Sequence, residues 1–95
     1  MVIIVPTTPK VVVYSSQRCS YCVAAIRYLR DRKGVEPEVI DLTGDWNARQ
    51  ELIERTRFRT VPQIFVGDHF VGGYDELCAL DNAGKLDLLL GQVPV

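Results

Sequence analysis

The sequence predicts an α/β fold in which helices flank a mixed four-stranded sheet, in the order β-α-β-α-β-β-α-α. Three observations predict it. Short β-rich runs alternate with stretches of helical periodicity, Gly67-Asp68 marks a tight hairpin between two such runs, and glycine or proline stands at the joints.

The elements follow in order. Lys10 to Tyr14 is β-rich and unbroken, as in a buried strand, and Ser15 to Arg18 is a polar loop. From Ser20 to Lys33 the pattern turns helical, with Cys22, Ile26 and Leu29 on one face, and Gly34 is placed to end the helix. Glu38 to Leu42 reads as a second strand. After the turn Thr43-Gly44-Asp45, either Asp45 or Asn47 caps a helix running to about Thr56, with Leu52 and Ile53 inward and Trp46 as a packing anchor. Thr60-Val61-Pro62 leads into a strand from Gln63 to Val66. Gly67-Asp68 turns it back through His69 to Val71. Gly72-Gly73 ends the pairing. Asp75 is placed to cap a third helix carrying Leu77, Cys78 and Leu80, and a last short helix holds Leu86, Leu89 and Leu90.

The 95 residues, 47% apolar and 24% charged, suit one soluble domain with a single modest core. A net charge of −1 argues against a general nucleic-acid or anionic-membrane binder, and no apolar stretch is long enough to span a bilayer. Met1 to Val5 is apolar, but Pro6 and Pro9 interrupt it, and it lacks the basic lead and long apolar core of a signal peptide. Residues 1–9 therefore read as a loose extension, with a short edge strand as the alternative, and residues 10–92 as the domain. Two of the three cysteines share one tetrapeptide, unlike the even, dispersed set of a secreted disulfide scaffold, so a cytoplasmic, reducing setting is expected.

That tetrapeptide, Cys19-Ser20-Tyr21-Cys22, is the strongest chemical signal. Two cysteines one helical turn apart can bring their sulfurs together on one face. At a helix start the first sulfur also faces free N–H groups and the positive end of the helix dipole, which favours the thiolate. Cys19 is thus expected to be the exposed nucleophile and Cys22 the buried partner. Half of a zinc site is the competing reading, since Cys78 and His69 complete a ligand set if the fold brings them close. Cys78 otherwise belongs to an apolar helix face, and His69 beside the hairpin faces solvent. Pro62 reads either as a strand-entry proline or as a cis residue.

A CxxC at a strand-to-helix junction, Val61-Pro62 before the third strand and Gly72-Gly73-Tyr74-Asp75 after the fourth together resemble the glutaredoxins, most of all the small dithiol glutaredoxins of bacteria. The resemblance runs from about Lys10 to Leu90. It implies the thioredoxin fold and a glutathione-dependent thiol–disulfide oxidoreductase, with glutathione and oxidised or glutathionylated proteins as partners and a monomeric chain. Cys19 matches the family's nucleophile and Cys22 its resolving cysteine. Tyr21 matches the aromatic residue flanking bound glutathione. Thr60, Val61 and Pro62 match the loop with the cis proline, whose backbone pairs with the glutathione cysteine, and Gly73, Tyr74 and Asp75 the segment that holds the γ-glutamyl end. The alternative function is a [2Fe–2S] cluster held between two chains by the first cysteine and glutathione, as in some members. A third is thioredoxin-like reduction without glutathione, which the Ser-Tyr pair fits less well than a Gly-Pro pair would. Two departures stand out. Ser20 replaces the usual proline and Ser16 a common lysine, leaving Arg18, Arg57 or Arg59 to supply the positive charge for a glutathione carboxylate.

Overall fold

The computed structural model of the protein describes residues 9–91. The expected extension lies, but for Pro9, outside the described residues, as does Gln92, the expected last residue of the domain. The elements are β1 (Val11–Ser15), α1 (Ser20–Lys33), β2 (Glu38–Asp41), α2 (Trp46–Thr56), β3 (Gln63–Val66), β4 (His69–Gly72), α3 (Tyr74–Asn82) and α4 (Lys85–Leu89). The strands form one sheet in the order β2-β1-β3-β4, with β1 parallel to β2 and antiparallel to β3, and β3 antiparallel to β4. This is the thioredoxin fold.

β1 alternates instead of being buried on both faces. Val11, Val13 and Ser15 are buried, while Val12 and Tyr14 are half-buried. The buried face meets Ala25 and Leu29 of α1, Ile64 and Val66 of β3, Leu77 of α3, and Leu86 and Leu90, which together form the core. Ala25 takes the central place on α1 that the sequence suggested for Ile26, which is only half-buried. On the other face a run of rings covers the strands. Tyr14 meets Phe65 edge-on at 5.7 Å, Phe65 meets Phe70 at 5.1 Å, and Phe70 meets Phe58 at 5.5 Å.

The helix ends are set locally. Gly34, at φ 65°, takes the left-handed conformation that closes α1, and the Val35 N–H reaches the Leu29 carbonyl at 2.9 Å. Asp45 caps α2 by accepting the Ala48 N–H at 3.1 Å. Three expectations need correction. Asp75 is not the cap of α3, because the helix begins at Tyr74 and Gly73 is its N-cap. Trp46, the first residue of α2, is 68% exposed and is no packing anchor; the buried contact of that helix comes from Leu52 further along it. β2 stops at Asp41, one residue short of the expected Leu42: the Leu42 N–H still donates to the Ser15 carbonyl at 2.8 Å, but the Asp41 carboxylate accepts the Thr43 N–H at 2.9 Å and turns the chain there.

Candidate active site

The β1–β3 register brings the site together. Tyr14 pairs with Gln63 at the end where the chain leaves β1 toward Cys19 and arrives at β3 from Pro62. Arg18 stands at φ 58°, reversing the chain, and Cys19 follows in an extended conformation at φ −109°, ψ 101°. Cys19 is thereby the N-cap of α1. Its sulfur accepts the Cys22 N–H at 3.1 Å, as a serine or aspartate oxygen does in that place. It also lies 3.7 Å from the Val61 carbonyl oxygen.

Cys22, one turn into the helix, is 1% exposed and Cys19 is half-buried. A disulfide joins them, with the Cα atoms 5.2 Å apart, so the structure represents the oxidised pair. When the pair is reduced, the N–H that meets Cys19 and the N-terminus of α1 stabilise a negative sulfur.

Ser20 occupies the first position of α1, where proline is well accommodated because its missing N–H has no intrahelical partner. Cys19 is already extended, as a residue before proline must be. Ser20→Pro is therefore expected to raise stability by about 0.4–1 kcal/mol through a less flexible unfolded chain, which urea denaturation would read. A loss of stability would show that the Ser20 N–H is used.

Beside Cys19 lies a cleft of about 360 Å³ lined by Tyr21, Phe58, Thr60, Val61, Pro62, Gly73, Tyr74, Asp75 and Glu76. All seven residues that the resemblance assigned to glutathione besides Cys19 line it. The Val61-Pro62 bond is cis. Cys19 itself opens onto a neighbouring groove with Ser16, Arg18, Val23 and Val39. Tyr21 is 61% exposed and faces Tyr74 across 6.1 Å. The Cys78 side chain, a hydrogen-bond partner of Tyr74, pushes that phenol's pKa up. Cys78 is half-buried on α3, not fully within the core.

Two lining residues were missed by sequence reasoning. Phe58 sits in the loop after α2, and its position depends on a partly buried polar set built on the buried Gln63. The Gln63 amide donates to the Phe58 carbonyl at 2.6 Å, its oxygen accepts the Thr56 hydroxyl at 2.9 Å, and the Phe58 N–H donates to Thr56 Oγ1 at 3.1 Å. Glu76 accepts the Gly73 N–H at 2.8 Å, and the Gly-x-x-Glu spacing of a helix start was its available signal. Gly72 is required here. Its φ is 117°, and a Cβ would stand 2.9 Å from Glu76 Cβ.

Among the described residues, no arginine or lysine lines the cleft. Arg18 belongs to the neighbouring groove, while Arg57, at φ 62°, closes α2 and is exposed like Arg59. His69 is exposed on β4, and among the described residues no three histidine, cysteine or acidic side chains gather as a metal site. A [2Fe–2S] cluster takes four thiolate ligands; with Cys22 buried, one chain offers Cys19 alone of the pair, on the groove beside the cleft, so the other ligands of such a cluster would come from glutathione and a second chain.

The glutaredoxin family model matches residues 11–71. A glutaredoxin of Pseudomonas aeruginosa is 46% identical over 82 residues, covering 86% of this chain and 96% of that protein. The chain belongs to the glutaredoxin family. Glutaredoxin 3 of Escherichia coli K12 is 41% identical over 78 residues, covering 82% of this chain and 93% of its own length. The solution structure of a glutaredoxin from Brucella melitensis superposes with a TM-score of 0.77 at 41% identity, covering 95% of this chain and 98% of that one. A buckwheat glutaredoxin–glutathione complex matches with a TM-score of 0.77 at 30% identity, over 88% of this chain and 78% of that one. Family membership together with the Cys19–Cys22 pair makes this glutaredoxin a thiol–disulfide oxidoreductase. No helix among the described residues is long and apolar enough to cross a membrane.

Proposed function

We propose that the protein uses glutathione to reduce protein–glutathione mixed disulfides and protein disulfides, as a cytoplasmic monomer. The observation that carries this reading is the cleft beside Cys19, with Val61 and the cis Pro62 on one wall and the N-terminus of α3 on another. Glutathione is an anionic peptide. An extended peptide can pair with the Val61 backbone, and a carboxylate suits the N-terminal N–H groups of α3 near Asp75, whose own carboxylate suits the ammonium. The related buckwheat protein forms a complex with glutathione.

In the proposed cycle the Cys19 thiolate attacks the glutathione sulfur of a mixed disulfide. A new S–S bond forms, the old one breaks, and the protein leaves as a thiolate that takes a proton from water. A second glutathione thiolate attacks the glutathione sulfur on Cys19, releasing glutathione disulfide and restoring the Cys19 thiolate. With a protein disulfide, the Cys19 thiolate attacks one sulfur, breaking that S–S bond, forming a Cys19–protein mixed disulfide and releasing the other sulfur as a thiolate that takes a proton from water. Cys22 then gives up its proton and attacks the Cys19 sulfur, which frees the substrate and leaves the disulfide present in the structure. Two glutathiones then reduce it, yielding glutathione disulfide. Reduction of a glutathionylated peptide at increasing glutathione, coupled to glutathione reductase, tests the reading. Saturable, glutathione-dependent turnover is expected, and no turnover by a fully reduced protein would overturn it.

A further inference from the structure

Tyr28 lies two turns beyond Cys22 on α1, outside the cleft, yet it is tied to the cleft wall. Its ring meets the Tyr74 ring edge-on, with centroids 6.3 Å apart at 83°, and Tyr74 in turn faces Tyr21 at 6.1 Å. Both of those rings line the cleft and Tyr28 does not. The far side of Tyr28 is held as well. Its hydroxyl donates to Asp81 Oδ2, and the Arg32 guanidinium covers its ring at 5.4 Å. Asp81 pairs with Lys33 Nζ at 2.8 Å, and the same ammonium holds Asp87 of α4 at 2.7 Å. A partly exposed tyrosine such as Tyr74 could swing about χ1 and χ2, and the edge of Tyr28 removes that freedom from one side.

We propose that Tyr28 is a positioning residue for the ligand cleft: fastened through Asp81 to the α1–α3–α4 junction, its ring holds Tyr74, and through Tyr74 the Tyr21 ring, in the orientation that receives the ligand. The inference rests on the reading of the cleft as the glutathione site. It places a determinant of affinity on the third turn of α1, where it touches neither ligand nor sulfur. The hydroxyl's role is to fix the ring through Asp81, and the ring's role is to fix Tyr74.

Steady-state reduction of a glutathionylated peptide by wild type, Tyr28→Leu, Tyr28→Phe and Tyr74→Ala tests it, with Tm recorded for each. Tyr28→Leu is expected to raise KM about threefold to tenfold, the equivalent of one lost aromatic pair, with kcat within about twofold of wild type. Tyr28→Phe keeps the ring and loses the fastening, so KM rises about twofold. A folded Tyr28→Leu with wild-type KM, while Tyr74→Ala raises KM, overturns the inference and leaves the cleft reading standing. A loss confined to kcat also overturns it. If Tyr74→Ala has no effect on KM, the cleft reading itself falls. If Tyr28→Leu does not fold, Tyr28→Phe decides between a raised KM and an unchanged one.

Discussion

Cys19→Ser is expected to lower glutathione-dependent disulfide reduction by about a thousandfold or more, because a serine hydroxyl is not ionised near neutral pH and cannot replace a thiolate nucleophile. The fold should be spared. Serine is a favoured N-cap, and its oxygen can accept the Cys22 N–H that the Cys19 sulfur accepts now. Loss of rate with an unchanged Tm would therefore be a chemical loss. Cys22→Ser is expected to act differently. Cys22 is 1% exposed, so no substrate reaches it, and its partner in the disulfide is Cys19 alone. That variant should keep turnover of a glutathionylated peptide and lose reduction of protein disulfides. Coupled kinetics on both substrate types checks this. Substantial activity in Cys19→Ser would mean that another sulfur attacks, with Cys78 the remaining thiol.

Lys33→Met is expected to be the most destabilising of these substitutions, at about 3 kcal/mol, or roughly 12–24 °C in Tm for a domain of this size. The Lys33 and Asp81 side chains are only 12% and 17% exposed, and Asp87 shares the same ammonium. Removing the ammonium leaves carboxylates turned inward without it. Lys33→Met combined with Asp81→Asn and Asp87→Asn should recover most of the loss, since the buried negative charges go too. Failure of the triple variant to recover would mean that Lys33 acts through packing alone.

The junction also predicts a pH dependence. The hydrogen bond from Lys33, followed by that from Tyr28, holds the Asp81 carboxyl below its ordinary 3.8. A depressed carboxyl pKa contributes stability above the unfolded value, and this is lost as pH falls through the folded one. Hydrogen bonds to Asp81 and Asp87 raise the Lys33 pKa above 10.5, and the bond to Asp81 raises that of Tyr28 from 10.0 to about 12. Both contributions are complete below the unfolded values and disappear as pH rises through the folded ones. Wild-type stability should thus decline below about pH 4 and again from about pH 10 to 12. In Lys33→Met, protonation relieves the inward carboxylates, so its Tm should approach that of wild type on acidification. A constant difference in Tm from neutral to acid pH would sink this account.

Much of the site could be read from the chain because its determinants are close in sequence. Cys19 and Cys22 are three residues apart, and the conformation that presents them is a helix N-cap. Gly72-Gly73-Tyr74-Asp75 is one segment, and Gly67-Asp68 turns one strand directly into the next. Where a local pattern allowed two outcomes, reading it was less exact. The apolar run of β1 fits a strand buried on both faces as well as one with a half-buried face, and residue type alone does not fix the role of Trp46 or Asp75 at helix starts whose surroundings lie elsewhere in the chain.

The order of elements, the redox pair and the glycines at the turns are written in the chain, because each rests on periodicity, capping or backbone freedom within a few residues. Folding alone brings about three other features: the β1–β3 register sets Pro62 beside Cys19, Gln63 holds the Phe58 carbonyl, and Tyr28, Lys33, Asp81 and Asp87 meet where α1, α3 and α4 join. These contacts join residues from different elements, most of them far apart along the chain. Burial makes such polar partners necessary to one another, and only packing determines which of them meet.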